Sequence, residues 1–248
     1  MTDQSNVYLE SEETRIKSVY AQRQGAFRYS WFNQGQLFRL HELERDILAI
    51  LRSNGFGDLH DKKVLEVGCG QGQWLREFIK WGAAPENMTG IDLLPDRVKK
   101  ARQLCPQGVE IQCGNAARLA FRNDSFDLVL QFTVFSSILD LHMKEVLASE
   151  MLRVLKEGGL ILWYDIHINN PWNPDVRGIR KPEIAQLFPG CRIDLHRVTV
   201  AAPLSRLFAP YSWLGCYALE RFRIFNTHYL GVIQRNYSRS WNLGVETI

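Results

Sequence analysis

Apolar residues recur along the chain with two different periods, and the two alternate. In "QLFRLHELERDILAILRSNG" (36–55), Leu37, Leu40, Leu43, Ile47, Ile50 and Leu51 fall at helical spacing. This predicts a long amphipathic helix, stopped by Gly55 and Gly57. From Lys63 onward, short apolar runs read as buried strands at 63–68, 88–94, 109–114, 125–134, 160–166, 192–201 and 227–235. Helices are expected between them at 72–82, from Pro95 to Cys105, at 144–159 and at 181–190. Pro95 suits a first helical turn, and the Gly158–Gly159 pair is expected to end the 144–159 helix. The segment 204–222 reads as helical with a break near Pro210.

Strands alternating with helices argue for a parallel sheet covered on both faces. Ahead of that core, residues 1–12 are expected to be mobile and a short helix is expected from Glu13 to about Gln24. Residues 1–58 therefore read as an N-terminal helical cap or lid, and 59–248 as the core, with a helical insertion at about 204–222.

Composition narrows the class. The 248 residues, 46% apolar and 23% charged, suit a single soluble domain of ordinary enzyme size. A formal charge of +3 is too small to argue for nucleic acid or an anionic membrane, so neither is expected as a partner. The five cysteines are scattered without a CxxC pair, which points away from a disulfide framework or a zinc site. The polar, acidic start and the lack of an apolar run near ~18 residues lead us to expect a cytoplasmic protein without a signal peptide or membrane span.

The chemistry begins at "VLEVGCGQGQW" (64–74), where Gly68, Gly70 and Gly72 follow a strand and precede a helix. Such turns hold nucleotide-like ligands. A dinucleotide turn needs a small residue where Gln73 stands, followed here by bulky Trp74, and a phosphate-cradling loop needs a Gly-Lys-Ser/Thr that is absent. A nucleoside with a smaller polar tail fits better than a pyrophosphate. Gly68, Asp92, Asn115, Gln131 and Asp165 each fall at or just after a predicted strand end, the edge where open α/β sheets bind ligands.

With these motifs in order over residues 60–165, the chain resembles the class I S-adenosylmethionine-dependent methyltransferases. The resemblance implies a doubly wound α/β fold with a mostly parallel seven-stranded sheet, Rossmann-like, and S-adenosylmethionine as cofactor. It implies that "EVGCGQG", with Glu66, Gly68, Gly70 and Gly72, lies against the methionine part. In "GIDLL" it implies that Asp92, with Leu93 beside it, takes the ribose hydroxyls. In "CGNAARLAF" it implies Asn115 and the Ala116 N–H at adenine, and it gives the Gln131 backbone carbonyl to the amino group. Members that methylate nucleic-acid amines carry an Asn/Asp-Pro-Pro-aromatic motif where this chain has "QFTVF". Magnesium-dependent members place acids where this chain has Gln131 and Asp165-Ile166-His167, so no metal is expected.

The acceptor side is read from residue chemistry. His167, two residues beyond Asp165, is the candidate general base, with Asp165 orienting or replacing it. His142 is a weaker rival. The loop "HINNPWNPDVRGIRKP" (167–182) is expected to wall the acceptor pocket, with Arg177 holding an anionic group. Tyr29 and Trp31 are expected in a lid that touches substrate, and Phe208, Tyr211, Trp213 and Tyr217 in a second apolar wall. The resulting expectation is methyl transfer to a small-molecule acceptor, at a hydroxyl oxygen of a natural product, sugar or related metabolite. Alternatives are N-methylation, a protein or RNA acceptor, a nicotinamide-dependent oxidoreductase and a non-catalytic cofactor-binding protein. The sequence leaves oligomeric state open.

Overall fold

The computed structural model describes residues 2–22, 32–170 and 173–236. Seven strands form one sheet: β1 (Val64–Val67), β2 (Met88–Asp92), β3 (Glu110–Cys113), β4 (Phe126–Phe132), β5 (Leu155–Ile166), β6 (Cys191–Val200) and β7 (Asn226–Arg235). Their spatial order is β3-β2-β1-β4-β5-β7-β6. β1 to β5 pair in parallel, and β7 is antiparallel to both β5 and β6, so β6 runs the same way as β5.

The central strands are buried on both faces, which is why they read as unbroken apolar runs. Alternate side chains go to opposite layers. Val129, Ile161 and Trp163 join one core cluster, while Leu128, Leu130, Leu160 and Leu162 join the other. The first cluster is covered by α1 (Thr2–Gln22), α5 (Leu141–Val154) and α6 (Lys181–Leu187). The second is covered by α2 (Gln34–Ser53), α3 (Gln73–Lys80) and α4 (Pro95–Leu104). The insertion forms two helices, α7 (Ala202–Phe208) and α8 (Trp213–Arg221), separated around Pro210. No helix among the described residues is long and apolar enough to cross a membrane.

Three sequence expectations change here. First, α1 starts at Thr2 rather than Glu13. Leu9, Glu12 and Ile16 are buried along one side of it, a stripe that the surrounding polar residues disguise. Second, α5 ends at Val154, because Leu155 already pairs with Phe126 in the sheet. Gly158, at φ +73°, therefore shapes an irregularity within β5 instead of capping a helix. Third, the cap is not one unit. Leu43, Ile47 and Leu51 of α2 lie in the same buried cluster as Val64 and Leu128, so α2 is a layer of the core.

Candidate active site

A cavity of about 1120 Å³ opens at the carboxyl edge of β1, β2, β4 and β5. The glycine turn forms one wall. Gly68, Gly70 and Gly72 have φ of +67°, +54° and +72°, a region that costs side-chain-bearing residues free energy. A Cβ on Gly68 would stand 2.5 Å from Val134 Cγ2, and one on Gly72 would stand 2.5 Å from Cys105 Sγ. The turn is thus fixed by both conformation and space.

Asp92, at the end of β2, is buried and faces the same cavity. Its Oδ2 accepts the Gly70 N–H at 2.8 Å and its Oδ1 accepts the Leu94 N–H at 2.9 Å. Each carboxylate oxygen has a second lone-pair site, so both can still accept a hydroxyl. Glu66 on β1 also lines the cavity, and its buried Oε2 lacks a hydrogen-bond partner. Burial, helped by the neighbouring Asp92 charge, pushes its carboxyl well above the usual range. Leu93 and Ala116 line the space as well.

Asn115 lines the cavity but its side chain is engaged. Oδ1 accepts the Ala117 N–H at 2.9 Å, and Nδ2 donates to Glu13 Oε2 at 3.2 Å. Gln131 is fully buried in the sheet, outside the cavity lining. Its Nε2 donates to Tyr164 O and its Oε1 accepts the Val134 N–H, which stiffens the turn after β4. The residues that reach the cavity from this strand end are Phe132, Thr133 and Val134. Thr133 holds φ +59°, an uncommon conformation for a β-branched residue, secured by its N–H bond to Tyr164 O at 2.7 Å.

α1 roofs the cavity through Ile16 and Tyr20. Tyr20 Oη lies 2.9 Å from Ser137 Oγ, and the Arg97 guanidinium sits 4.3 Å from the centre of its ring. Arg15 donates to Ser137 O at 2.6 Å, while Glu12 Oε1 accepts the Leu139 N–H at 2.6 Å. The loop after β5 adds Asn170, Asn173 and Asp175 to the lining and meets the roof, with Asp175 Oδ1 4.0 Å from Arg15 Nη1 of α1. Trp74 stacks on Phe132 at 4.5 Å between ring centres, giving the space an aromatic floor.

The proposed acceptor residues are not gathered there. His167 lies outside the cavity lining, its Nε2 donating to Asn226 O at 3.0 Å and its ring stacked on Tyr229 at 4.4 Å. Burial lowers its pKa. Asp165 is buried, with Oδ2 accepting the Ser136 N–H and Oδ1 the Ile166 N–H; burial lifts its carboxyl to about 6. It ties the turn after β4 to the end of β5. Arg177 points elsewhere too, donating to Glu183 Oε1 at 2.7 Å, an oxygen it shares with the buried Lys144. Phe208, Tyr211, Trp213 and Tyr217 are exposed and do not line the cavity. Tyr29 and Trp31 lie outside the described residues.

Sequence reasoning missed Tyr20, Arg97, Thr133 and Asp175. Tyr20 continues the Leu9–Ile16 helical stripe, which was the available signal. Arg97 and Thr133 carry none, since their roles arise from long-range packing.

The arrangement fits one ligand class. A glycine cradle that a Cβ would fill, a buried acid with two remaining acceptor sites and an orphaned Glu66 oxygen suit an adenosine carrying an amino-acid tail. Comparison with known proteins agrees. Residues 64–159 match the family described as "Methyltransferase domain". The chain is 33% identical over 135 residues to the phthiotriol/phenolphthiotriol dimycocerosates methyltransferase of Mycobacterium leprae, covering 52% of this chain and 48% of that protein. It is 35% identical over 127 residues to the 2-methyl-6-phytyl-1,4-hydroquinone methyltransferase of Synechocystis sp., covering 50% of this chain and 38% of that protein. The chain spans about half the length of the curated relatives it matches. In fold it resembles the putative methyltransferase in a complex with the Haloferax volcanii Trm112 activator, with a TM-score of 0.58, 18% identity, and 87% of this chain and 100% of that one covered. Residues 64–159 therefore carry a methyltransferase domain, in agreement with the resemblance to class I S-adenosylmethionine-dependent methyltransferases drawn from the motifs.

Proposed function

We propose that the protein transfers a methyl group from S-adenosylmethionine to a hydroxyl oxygen of a small, partly apolar acceptor. The observation that carries this reading is that one cavity is lined by the glycine turn and Asp92 and also by an aromatic floor and a polar loop. Its volume exceeds the ~300–1,000 Å³ common for a single small-ligand site, leaving room for two molecules side by side.

Asp92 holds the ribose hydroxyls, the glycine turn admits the amino-acid tail at backbone distance, and Ala116 presents its N–H to the base. Glu66 accepts from the amino group through its otherwise unpartnered oxygen. When bound, the cofactor supplies an electrophilic methyl on a sulfonium. The chain's contribution is alignment and exclusion of water: Ile16 and Tyr20 close the roof, and Trp74, Phe132 and Tyr164 give the acceptor an apolar bed. Positioning of this kind supplies much of the rate. Asp175 is the carboxylate that lines the loop side of the cavity, and it takes the acceptor's proton. The two relatives support the acceptor class, since one is named for a triol and the other for a phytyl-bearing hydroquinone.

The test is calorimetric titration with S-adenosylhomocysteine, followed by incubation with S-adenosylmethionine and a panel of hydroxylated aromatic and long-chain acceptors, read by mass spectrometry. Cofactor binding together with a gain of one methylene unit on oxygen is expected. Methylation at nitrogen, or of protein or RNA only, would replace the acceptor assignment, and failure to bind the cofactor would overturn the reading.

A further inference from the structure

The α7–α8 hairpin has an inner and an outer side of similar apolar character, and only the inner one is used. Inward, Ala209 and Cys216 close a small cluster with Phe38 and Val200. Outward, Leu207, Tyr211, Leu214, Phe222 and Ile224 are between 60 and 88% exposed. Five large apolar side chains this bare within 18 residues exceed the scattered exposure expected of a soluble surface.

Charge separates the possible occupants. Arg206, Arg221 and Arg223 are exposed on the same hairpin, and none is in an ion pair among the described residues. The sole acid between residues 201 and 225 is Glu220. It is turned inward, its Oε1 accepting the Thr199 N–H at 2.8 Å, and burial lifts its carboxyl to about 7. The hairpin thus offers aromatic and aliphatic groups with guanidinium groups outside any ion pair among the described residues and no exposed carboxylate of its own. The neighbouring Asp46 of α2, which lines a hollow with Arg221 and Arg223, is paired with Arg45. This combination matches an anionic lipid interface, where apolar side chains enter the headgroup boundary and arginines meet phosphate.

Position gives the hairpin a purpose. It follows the carboxyl end of β6, and β6 runs parallel to β5, so the hairpin emerges on the same edge of the sheet as the cavity. Tyr164, in the cavity wall, bonds Thr199 at 3.1 Å between hydroxyl oxygens, and Thr199 is in turn held by Glu220 of α8.

We propose that the α7–α8 hairpin is a docking element for an anionic membrane surface, which holds the cavity edge toward the bilayer. The modest net charge and lack of a spanning segment, which led the sequence reading to expect no membrane, do not bear on a surface contact made by one hairpin. Docking itself is independent of the methyl-transfer reading. Its consequence, that the acceptor is drawn from the lipid phase, rests on that reading.

The experiment is flotation of the full chain with vesicles of phosphatidylcholine alone and of phosphatidylcholine with phosphatidylglycerol, at low and at high salt. Binding is expected on the mixed vesicles and should weaken as salt rises. Arg206→Ser and Arg221→Ser should each reduce partitioning by about fivefold. Tyr211→Ser combined with Leu214→Ser should reduce it by roughly tenfold or more. S-adenosylhomocysteine affinity and circular dichroism should stay unchanged in all variants, showing that fold and cavity survive. No binding to mixed vesicles overturns the proposal. So does a homodimer, seen by light scattering, that the Tyr211/Leu214 change dissociates while vesicle binding is absent. Because flotation needs no cofactor and calorimetry needs no lipid, failure of docking is distinguishable from failure of the methyl-transfer reading.

Discussion

Gly70 donates its backbone N–H to Asp92 Oδ2 across 2.8 Å, which ties the turn after β1 to the end of β2. The acid that faces the cavity is therefore also the clasp of the glycine turn, and the two features that suggested a nucleoside site in the sequence are one structure.

Asp92→Ala should weaken S-adenosylhomocysteine binding by about 1–3 kcal/mol through loss of charge-assisted bonds. It also strips the Gly70 and Leu94 N–H groups of their acceptor, so thermal stability should fall in the same variant. Calorimetry and a melting curve check both. Wild-type affinity would remove Asp92 from the cofactor site.

Tyr20 is one of the ties that hold the roof. Tyr20→Phe deletes the contact with Ser137, worth about 1 kcal/mol, yet keeps the ring under Arg97. Cofactor-product release, followed by stopped-flow displacement, should be several-fold faster. An unchanged release rate would show that α1 does not gate the cavity.

Asp175 and His167 make opposite predictions. Asp175→Asn should lower turnover by about 10²-fold while leaving S-adenosylhomocysteine affinity intact. His167→Phe keeps the stack on Tyr229, loses the bond to Asn226 and should leave turnover near wild type at a small stability cost. The reverse pattern in steady-state rates would restore His167 as the base.

His228 stacks on Tyr164 at 4.6 Å and is buried neutral, its pKa lowered to about 3 by burial and by the Arg39 charge. The unfolded chain binds a proton on this imidazole at ordinary acidity and the folded chain does not. Stability contributed by the site is therefore complete above about pH 6.5 and is lost as pH falls toward 3, at about 1.4 kcal/mol per pH unit. His228→Phe should flatten that acid limb in melting temperature against pH. An identical slope in the variant would place the acid sensitivity elsewhere.

Much of the fold was legible because its signals are local. The strands are buried on both faces and so appear as apolar runs, and the turn at 68–72 and Asp92 lie within short motifs. The chain-distant parts of the site were not. Nothing near Tyr20 announces Ser137, and nothing near Asn115 announces Glu13, because folding alone brings those segments together. Arg177 reads as a free anion clamp in the sequence, but Glu183 in the first turn of α6 claims it. The aromatics of 208–217 suggested a pocket wall, but periodicity cannot say which side of a helix meets protein and which meets solvent.

The placement of α2 has a practical corollary. Trimming the gene so that translation starts at residue 59 looks like a way to isolate a minimal catalytic core. Such a product would instead leave the Val64 and Leu128 layer bare where Leu43, Ile47 and Leu51 normally rest, and it should accumulate as inclusion bodies.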